Sequence, residues 1–403
     1  MKKVFLFLLL VSLATSAVAQ EKDQAIKIGE KFTFHSGTLN EDRPYWVYLP
    51  ESYNSKSQAP EAYPVLYLLD GDALFHSATG VVQFMSRNGN VQIPELIIVA
   101  VPNTNRNRDL TPTHSLRNQL GKESESLSSS GGGDAFLRFL QQELVPLIEA
   151  NYRTLPYRIL LGHSLGGLSA IQALLTAPTT FQGIIAIDPS LWWDNQVMLN
   201  RAKAFLAATN APTAKRLRNR VFISIANTPQ IGTFNNPKLN EETVRTFARL
   251  LEMNSATSLR SKLQYFEAED HGSVPLLSLY HGLLFIFEGY RPVWAMFLEP
   301  PSNITSHFKN VSERIGAELL PPEQLINSMG YSLLYELLDV DKAIGLFKLN
   351  VSLYPKSFNA YNNLAESYLV KGDKPLAVRN YKTSLELNPE NQKAKDQLQK
   401  LKN

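Results

Sequence analysis

The 403-residue chain contains no cysteine. This excludes disulfides and thiolate metal sites, so the apolar core alone must hold the fold. A chain of this length can build such a core, and its length suggests two domains. Charge of one sign is also scarce: 40 Lys and Arg stand against 37 Asp and Glu. There is no basic excess of the kind that binds nucleic acid. Long apolar runs are missing too, apart from "VFLFLLLVSLA" after Lys2 and Lys3. That run is shorter than the ~20 residues a membrane span needs. Followed by Ala17, Val18 and Ala19, it reads as an export signal over residues 1–19. No cysteine stands there for lipidation. Cleavage leaves 38 basic residues against 37 acidic ones and no transmembrane segment, so a periplasmic or extracellular protein is expected.

Seven segments have the composition of strands: "WVYLP" (46–50), "VLYLLDG" (65–71), "LIIVAV" (96–101), "RILLG" (158–162), "GIIAID" (183–188), "RVFISIA" (220–226) and "LQYFEA" (263–268). Several are continuous apolar runs, which implies a sheet covered on both faces. Amphipathic helical patterns alternate with them. In residues 134–152, Phe136, Phe139, Leu140, Leu144, Leu147 and Ile148 recur on one face behind Asp134, an N-cap candidate. The alternation predicts an α/β fold with a mostly parallel sheet and helices on both sides. Residues 102–134 interrupt the rhythm with a long Ser-, Asn- and Gly-rich stretch. Loops of this length inside compact domains are often lids or binding edges.

From residue 322 the pattern is all helical, with a period. Leu334 and Tyr368, Ala343 and Ala377, Phe347 and Tyr381, and Pro355 and Pro389 are each 34 apart, the tetratricopeptide spacing. The first unit is looser, with Gly330 and Tyr331 at positions that usually hold Leu and a small residue. Residues 391–403 complete the pattern as a polar capping helix. Stacked helical pairs form concave faces, so a peptide, a protein partner or a neighbouring domain is expected there.

"Gly162-His163-Ser164-Leu165-Gly166" is a G-x-S-x-G sequence between a strand and a helix, the context of a nucleophile elbow. A base must take the proton of Ser164. Of seven histidines, His271 lies after the last strand and is the candidate base; His281 sits on the following helix, and His76 and His114 lie in candidate site-lining segments. The chain order Ser, acid, His leaves the acid open. Glu242 or Glu241, at a helix start after "RVFISIA", is favoured. Asp188 comes next, Asp270 adjoins His271 and is expected to point away, and a dyad without an acid is the remaining option. Leu165 N–H and Asp72 N–H, the latter behind the turn that Gly71 permits, are the candidate oxyanion donors. Gly71, His163 and Trp192 are candidates for the substrate pocket, and Trp192 and Trp193 either wall that pocket or pack in the core.

"PVLYLLDGD", "GHSLGG", "AIDPSLWWD" and "EAEDHGSVP", in this order and spacing, resemble the putative esterase family of α/β-hydrolases, which includes esterase D, enterochelin-type siderophore esterases and the antigen 85 mycolyltransferases. The resemblance covers residues 27–292. It implies an ester hydrolase with Ser164 as nucleophile, His271 as base, Leu165 and Asp72 as oxyanion donors, and "NRNRDLTP" (105–112) near the substrate. The sequence departs from relatives at "IANTP", where they often carry an acid. The expected organisation is a signal over residues 1–19, a hydrolase domain over 20–292, a linker over 293–321 and repeats with a cap over 322–403. The expected activity is serine-esterase hydrolysis of a small-molecule ester without cofactor or metal. The alternatives are acyl transfer to a sugar or alcohol, and an inactive hydrolase scaffold with a partner-binding tail.

Overall fold

The computed structural model describes residues 26–87, 91–209, 218–229, 236–253 and 259–402. The expected export signal lies outside them.

Eight strands form one sheet: β1 (Glu30–Ser36), β2 (Glu41–Tyr48), β3 (Tyr63–Leu69), β4 (Ile97–Val101), β5 (Thr154–His163), β6 (Gly183–Ile187), β7 (Arg220–Ala226) and β8 (Arg260–Phe266). Their order is β1-β2-β4-β3-β5-β6-β7-β8. The β1–β2 and β2–β4 pairs are antiparallel, and the others are parallel. The sequence reading missed β1. It is a half-exposed edge strand whose turn into β2 passes through the left-handed Asn40.

The helices of the sheet domain are α1 (Gly71–Ser86), α2 (Arg106–Asp109), α3 (Gly133–Phe139), α4 (Val145–Asn151), α5 (Leu165–Thr176), α6 (Trp193–Thr209), α7 (Pro237–Glu252) and α8 (Val274–Ile286). A π-turn over Leu140–Leu144 joins α3 to α4. The apolar run of β3 divides with period two. Val65, Tyr67 and Leu69 enter the core beneath α3, α4, α5, α6 and α7, while Leu66 and Leu68 enter the core that α1 and α8 cover. Burial on both faces is what makes such strands continuously apolar.

Residues 293–321, expected as a linker, instead hold a 3-10 turn and α9 (Ser302–Ile315). Ile304, Phe308, Val311 and Ile315 recur every three or four residues and are buried in the core shared with α1 and α8. Five helices follow: α10 (Glu323–Tyr331), α11 (Val340–Leu353), α12 (Phe358–Lys371), α13 (Lys374–Leu387) and α14 (Gln392–Lys402), each packed on the next. Asp339, Ser357 and Asp373 cap α11, α12 and α13 with side-chain acceptors. A Cβ on Gly330 would lie 2.5 Å from the Phe347 ring, which accounts for glycine there.

This helical region is fastened to the back of the sheet. Buried Glu323 accepts from Ala59 N–H at 3.0 Å with one carboxylate oxygen and from the Ser357 hydroxyl at 2.6 Å with the other. Burial holds its carboxyl above the usual range.

Candidate active site

Ser164 stands between β5 and α5 with φ 59° and ψ −116°, a conformation that L-residues avoid. Three glycines make the bend passable. A Cβ at Gly162 would lie 2.2 Å from the Gly166 backbone, and one at Gly167 would lie 3.0 Å from Pro189. At Gly166 the nearest obstacle would be the Asp70 carboxylate, at 3.0 Å. Ser164 N–H donates to Ile187 C=O at 3.0 Å, pinning the bend to the end of β6. The Ser164 C=O accepts from Ser190 N–H at 3.0 Å, and the two hydroxyl oxygens lie 3.3 Å apart.

Strand order brings the remaining groups to this point. In the pairing of β5 with β6, His163 lies opposite Ile187, so Asp188 emerges beside Ser164. Asp188 is 3% exposed. Its Oδ2 lies 2.6 Å from Nδ1 of His271, which follows β8. The carboxylate therefore holds the proton on Nδ1 and leaves Nε2 of His271 as the basic nitrogen. The His163 ring packs against His271 from the other side, with centroids 4.4 Å apart. Burial, and next the His271 charge, push the His163 imidazole down to about 4, and its buried Nε2 has no hydrogen-bond partner.

Glu242 and Glu241, the favoured acids, do not meet His271. Glu241 pairs with Arg245 at 2.8 Å one turn along α7, and Glu242 is exposed. The helix register explains the correction. Asn240 and Thr243 occupy the buried face of that turn, and Asn240 Nδ2 approaches Asp188 Oδ1 at 3.5 Å. The signal for Asp188 was its place directly after a strand that neighbours the elbow strand. Asp270 turns away as expected: its Oδ1 accepts the N–H groups of Gly272 and Ser273, both at 2.9 Å.

Leu165 N–H opens α5 and Asp72 N–H lies in the first turn of α1, where backbone donors have no intrahelical acceptor. Gly71 is required by close approach: a Cβ there would lie 2.8 Å from Val101 N. Of the remaining histidines, His114 Nδ1 is 3.1 Å from Ser130 C=O, while His76 is exposed on α1. Trp193 is fully buried, and its Nε1–H donates to Thr113 Oγ1 at 3.2 Å, tying the loop over residues 102–132 to α6. Trp192 is half-buried beside it, with centroids 5.6 Å apart. Asp194, Asn195 and Gln196 then follow in left-handed conformation.

Two groups in that loop were not singled out from the sequence, although Arg106 lies within the segment 105–112 expected near the substrate. Arg106 forks onto both oxygens of Asp70 at 2.6 and 2.9 Å and reaches His163 C=O at 3.3 Å. Asn103 Nδ2 donates to Asp70 at 2.7 Å. Behind them lies a partly buried ion network. Arg43, 1% exposed, pairs with Asp109 at 2.7 Å and Glu41 at 2.8 Å, and Arg108 holds Glu41 and Asp109. Hydrogen bonding from Arg108 takes the lead in drawing the Glu41 carboxyl down to about 2. Among the described residues, no cluster of three or more His, Asp or Glu side chains could hold a metal.

Residues 36–272 match the sequence model of the family described as "Putative esterase". The chain belongs to this esterase family. The ferri-bacillibactin esterase of Bacillus subtilis (strain 168) is 31% identical over 245 residues, covering 58% of this chain and 82% of that protein. The siderophore triacetylfusarinine C esterase of Aspergillus fumigatus is 28% identical over 284 residues, covering 62% of this chain and 92% of that protein. Among solved structures, an IroE-like serine hydrolase from Shewanella oneidensis has a TM-score of 0.72 and 31% identity, covering 81% of this chain and 99% of its own. The chain is thus an ester-hydrolysing hydrolase of α/β type. Among its described residues, no helix is long and apolar enough to cross a membrane.

Proposed function

We propose that the protein is an exported serine esterase that cleaves a carboxylic ester in a siderophore-type substrate through Ser164, His271 and Asp188. The 2.6 Å contact of Asp188 with His271 at the strand ends around the elbow carries the assignment. The substrate class is supported by relatives named for ferri-bacillibactin and triacetylfusarinine C.

In this reading His271 Nε2 takes the Ser164 proton as Oγ bonds to the ester carbonyl carbon. The oxyanion receives Leu165 N–H and Asp72 N–H. As the C–O bond breaks, His271 returns the proton to the leaving alcohol. Water, deprotonated by His271, then adds to the acyl carbon, and Ser164 leaves with the proton. Asp188 stays ionised and steadies the imidazolium in both halves. Gly71, His163 and Trp192 line the approach.

The domain reading is a signal over residues 1–19, the hydrolase domain to 292, and a tail in which residues 322–403 are tetratricopeptide-like repeats offering a face to a protein or peptide partner. The 34-residue spacing supports the repeats. The test is hydrolysis of a triester siderophore and of aryl esters by wild type and Ser164→Ala, beside fluorophosphonate labelling. Loss of labelling and of at least 10³-fold in kcat is expected. An unchanged rate in Ser164→Ala would overturn the reading.

A further inference from the structure

Asp70 is the residue before α1, where an aspartate ordinarily turns its carboxylate onto the N–H of the second or third helical residue. Those residues are Asp72 and Ala73. Asp70 makes no such bond. Its backbone is left-handed (φ 52°, ψ 42°), not the extended conformation usual at this position, and its side chain faces the elbow instead. Arg106 occupies both carboxylate oxygens, and Asn103 Nδ2 adds a third bond at 2.7 Å. Asn103 also binds Asp72 Oδ1 through its amide and its backbone N–H, both at 3.3 Å.

From this geometry we infer that Arg106 is a positioning residue that keeps Asp70 from capping α1, so that Asp72 N–H stays unpaired for the oxyanion. The inference rests on the serine-esterase reading above. A carboxylate bonded at that helix start would spend the donor and set a negative charge where the oxyanion must form. Arg106 removes both obstacles. Its third contact, to His163 C=O, fixes the α1 turn relative to the elbow that carries Leu165 N–H. The planar guanidinium suits this task because it engages both carboxylate oxygens at once, which a lysine ammonium does not. Arg106 is itself held from behind: Arg108 and Asp109, on the same short helix, are locked into the ion network with Glu41 and Arg43.

The experiment compares Arg106→Gln, Arg106→Lys, Asp70→Gly and the double variant Asp70→Gly/Arg106→Gln in the full chain. Glycine suits the left-handed position and has no carboxylate. The readouts are kcat, KM, and affinity for a phenylboronic acid that mimics the tetrahedral state. Arg106→Gln is expected to lose about 10²–10³ in kcat, the scale of one lost oxyanion donor, with KM changed less than threefold and boronate affinity falling in parallel. Arg106→Lys should fall with it. The double variant should recover at least tenfold over Arg106→Gln, because the competing carboxylate is gone. A purely structural arginine predicts the opposite, with the double variant no better than the single. Either that result in folded protein, or a kcat for Arg106→Gln within threefold of wild type, overturns the inference. Ser164→Ala, run alongside, separates the two claims. If it remains active, the nucleophile assignment fails; if it is inactive while Arg106→Gln is not impaired, only the role of Arg106 fails.

Discussion

The imidazoles of His163 and His271 lie 4.4 Å apart, centroid to centroid, inclined by 41°. Asp188 meets the His271 ring at 2.6 Å, while the His163 ring is buried against it. Burial first, and then the neighbouring His271, keep the His163 ring neutral, held at about 4 against 6.5 for the free side chain. As pH falls, the unfolded chain binds this proton first. The associated stability, roughly 3 kcal/mol by linkage, is fully present above pH 6.5 and is lost as pH drops towards 4. Thermal unfolding from pH 7 to pH 4 should destabilise wild type more than His163→Gln. Parallel curves for the two proteins would refute this.

Asp188→Asn keeps the shape of the acid but favours the wrong tautomer of His271. Its kcat should fall by about 10³–10⁴ with little change in melting temperature. Glu241→Gln and Glu242→Gln, made as controls on α7, should stay within twofold of wild type in an aryl-ester assay.

Gly162→Ala would force a methyl to within 2.2 Å of the Gly166 backbone, where no flexible side chain can yield. Loss of soluble expression, or a destabilisation of about 3 kcal/mol or more in urea unfolding, is expected. The same change at Gly80, with nothing within 4 Å of its Cβ, should be neutral or slightly stabilising because it lies inside α1.

Arg43→Met would leave Asp109, 2% exposed, with Arg108 as its remaining cation. A cost of about 3 kcal/mol is expected, read as a lower denaturant midpoint. Because Arg108 and Asp109 back Arg106, a loss of kcat in the surviving folded protein should accompany it.

Glu323→Ala removes the acceptor of both Ala59 N–H and the Ser357 hydroxyl. About 1–3 kcal/mol should be lost. Limited proteolysis should cut between the sheet domain and α10 faster than in wild type, with kcat unchanged.

The parallel strands and the elbow were legible because both are written locally: unbroken apolar runs, and glycines at fixed offsets from Ser164. The helix α9 was not, since Pro300 and Pro301 before it and Gly316 after it resemble a connector, while its apolar stripe gains meaning only from the surface it covers. The carboxylate that meets His271 was ranked second for a similar reason. Glu241 and Glu242 sit where the chain order invites an acid, and only the register of α7 reveals that Asn240 faces the site. The pairing of Arg106 with Asp70 spans 36 positions and opposes the ordinary capping preference of aspartate, so no local pattern announces it.

The apolar cluster that begins at Leu66 and Leu68 beneath the sheet runs unbroken through Phe308 of α9 to Phe347 and Tyr368. Such continuity couples the melting of one half to that of the other, so a calorimeter should record a single heat-absorption peak. A molecule clasped by the outer helices would then raise the temperature at which hydrolysis ceases, without touching the groups that perform it.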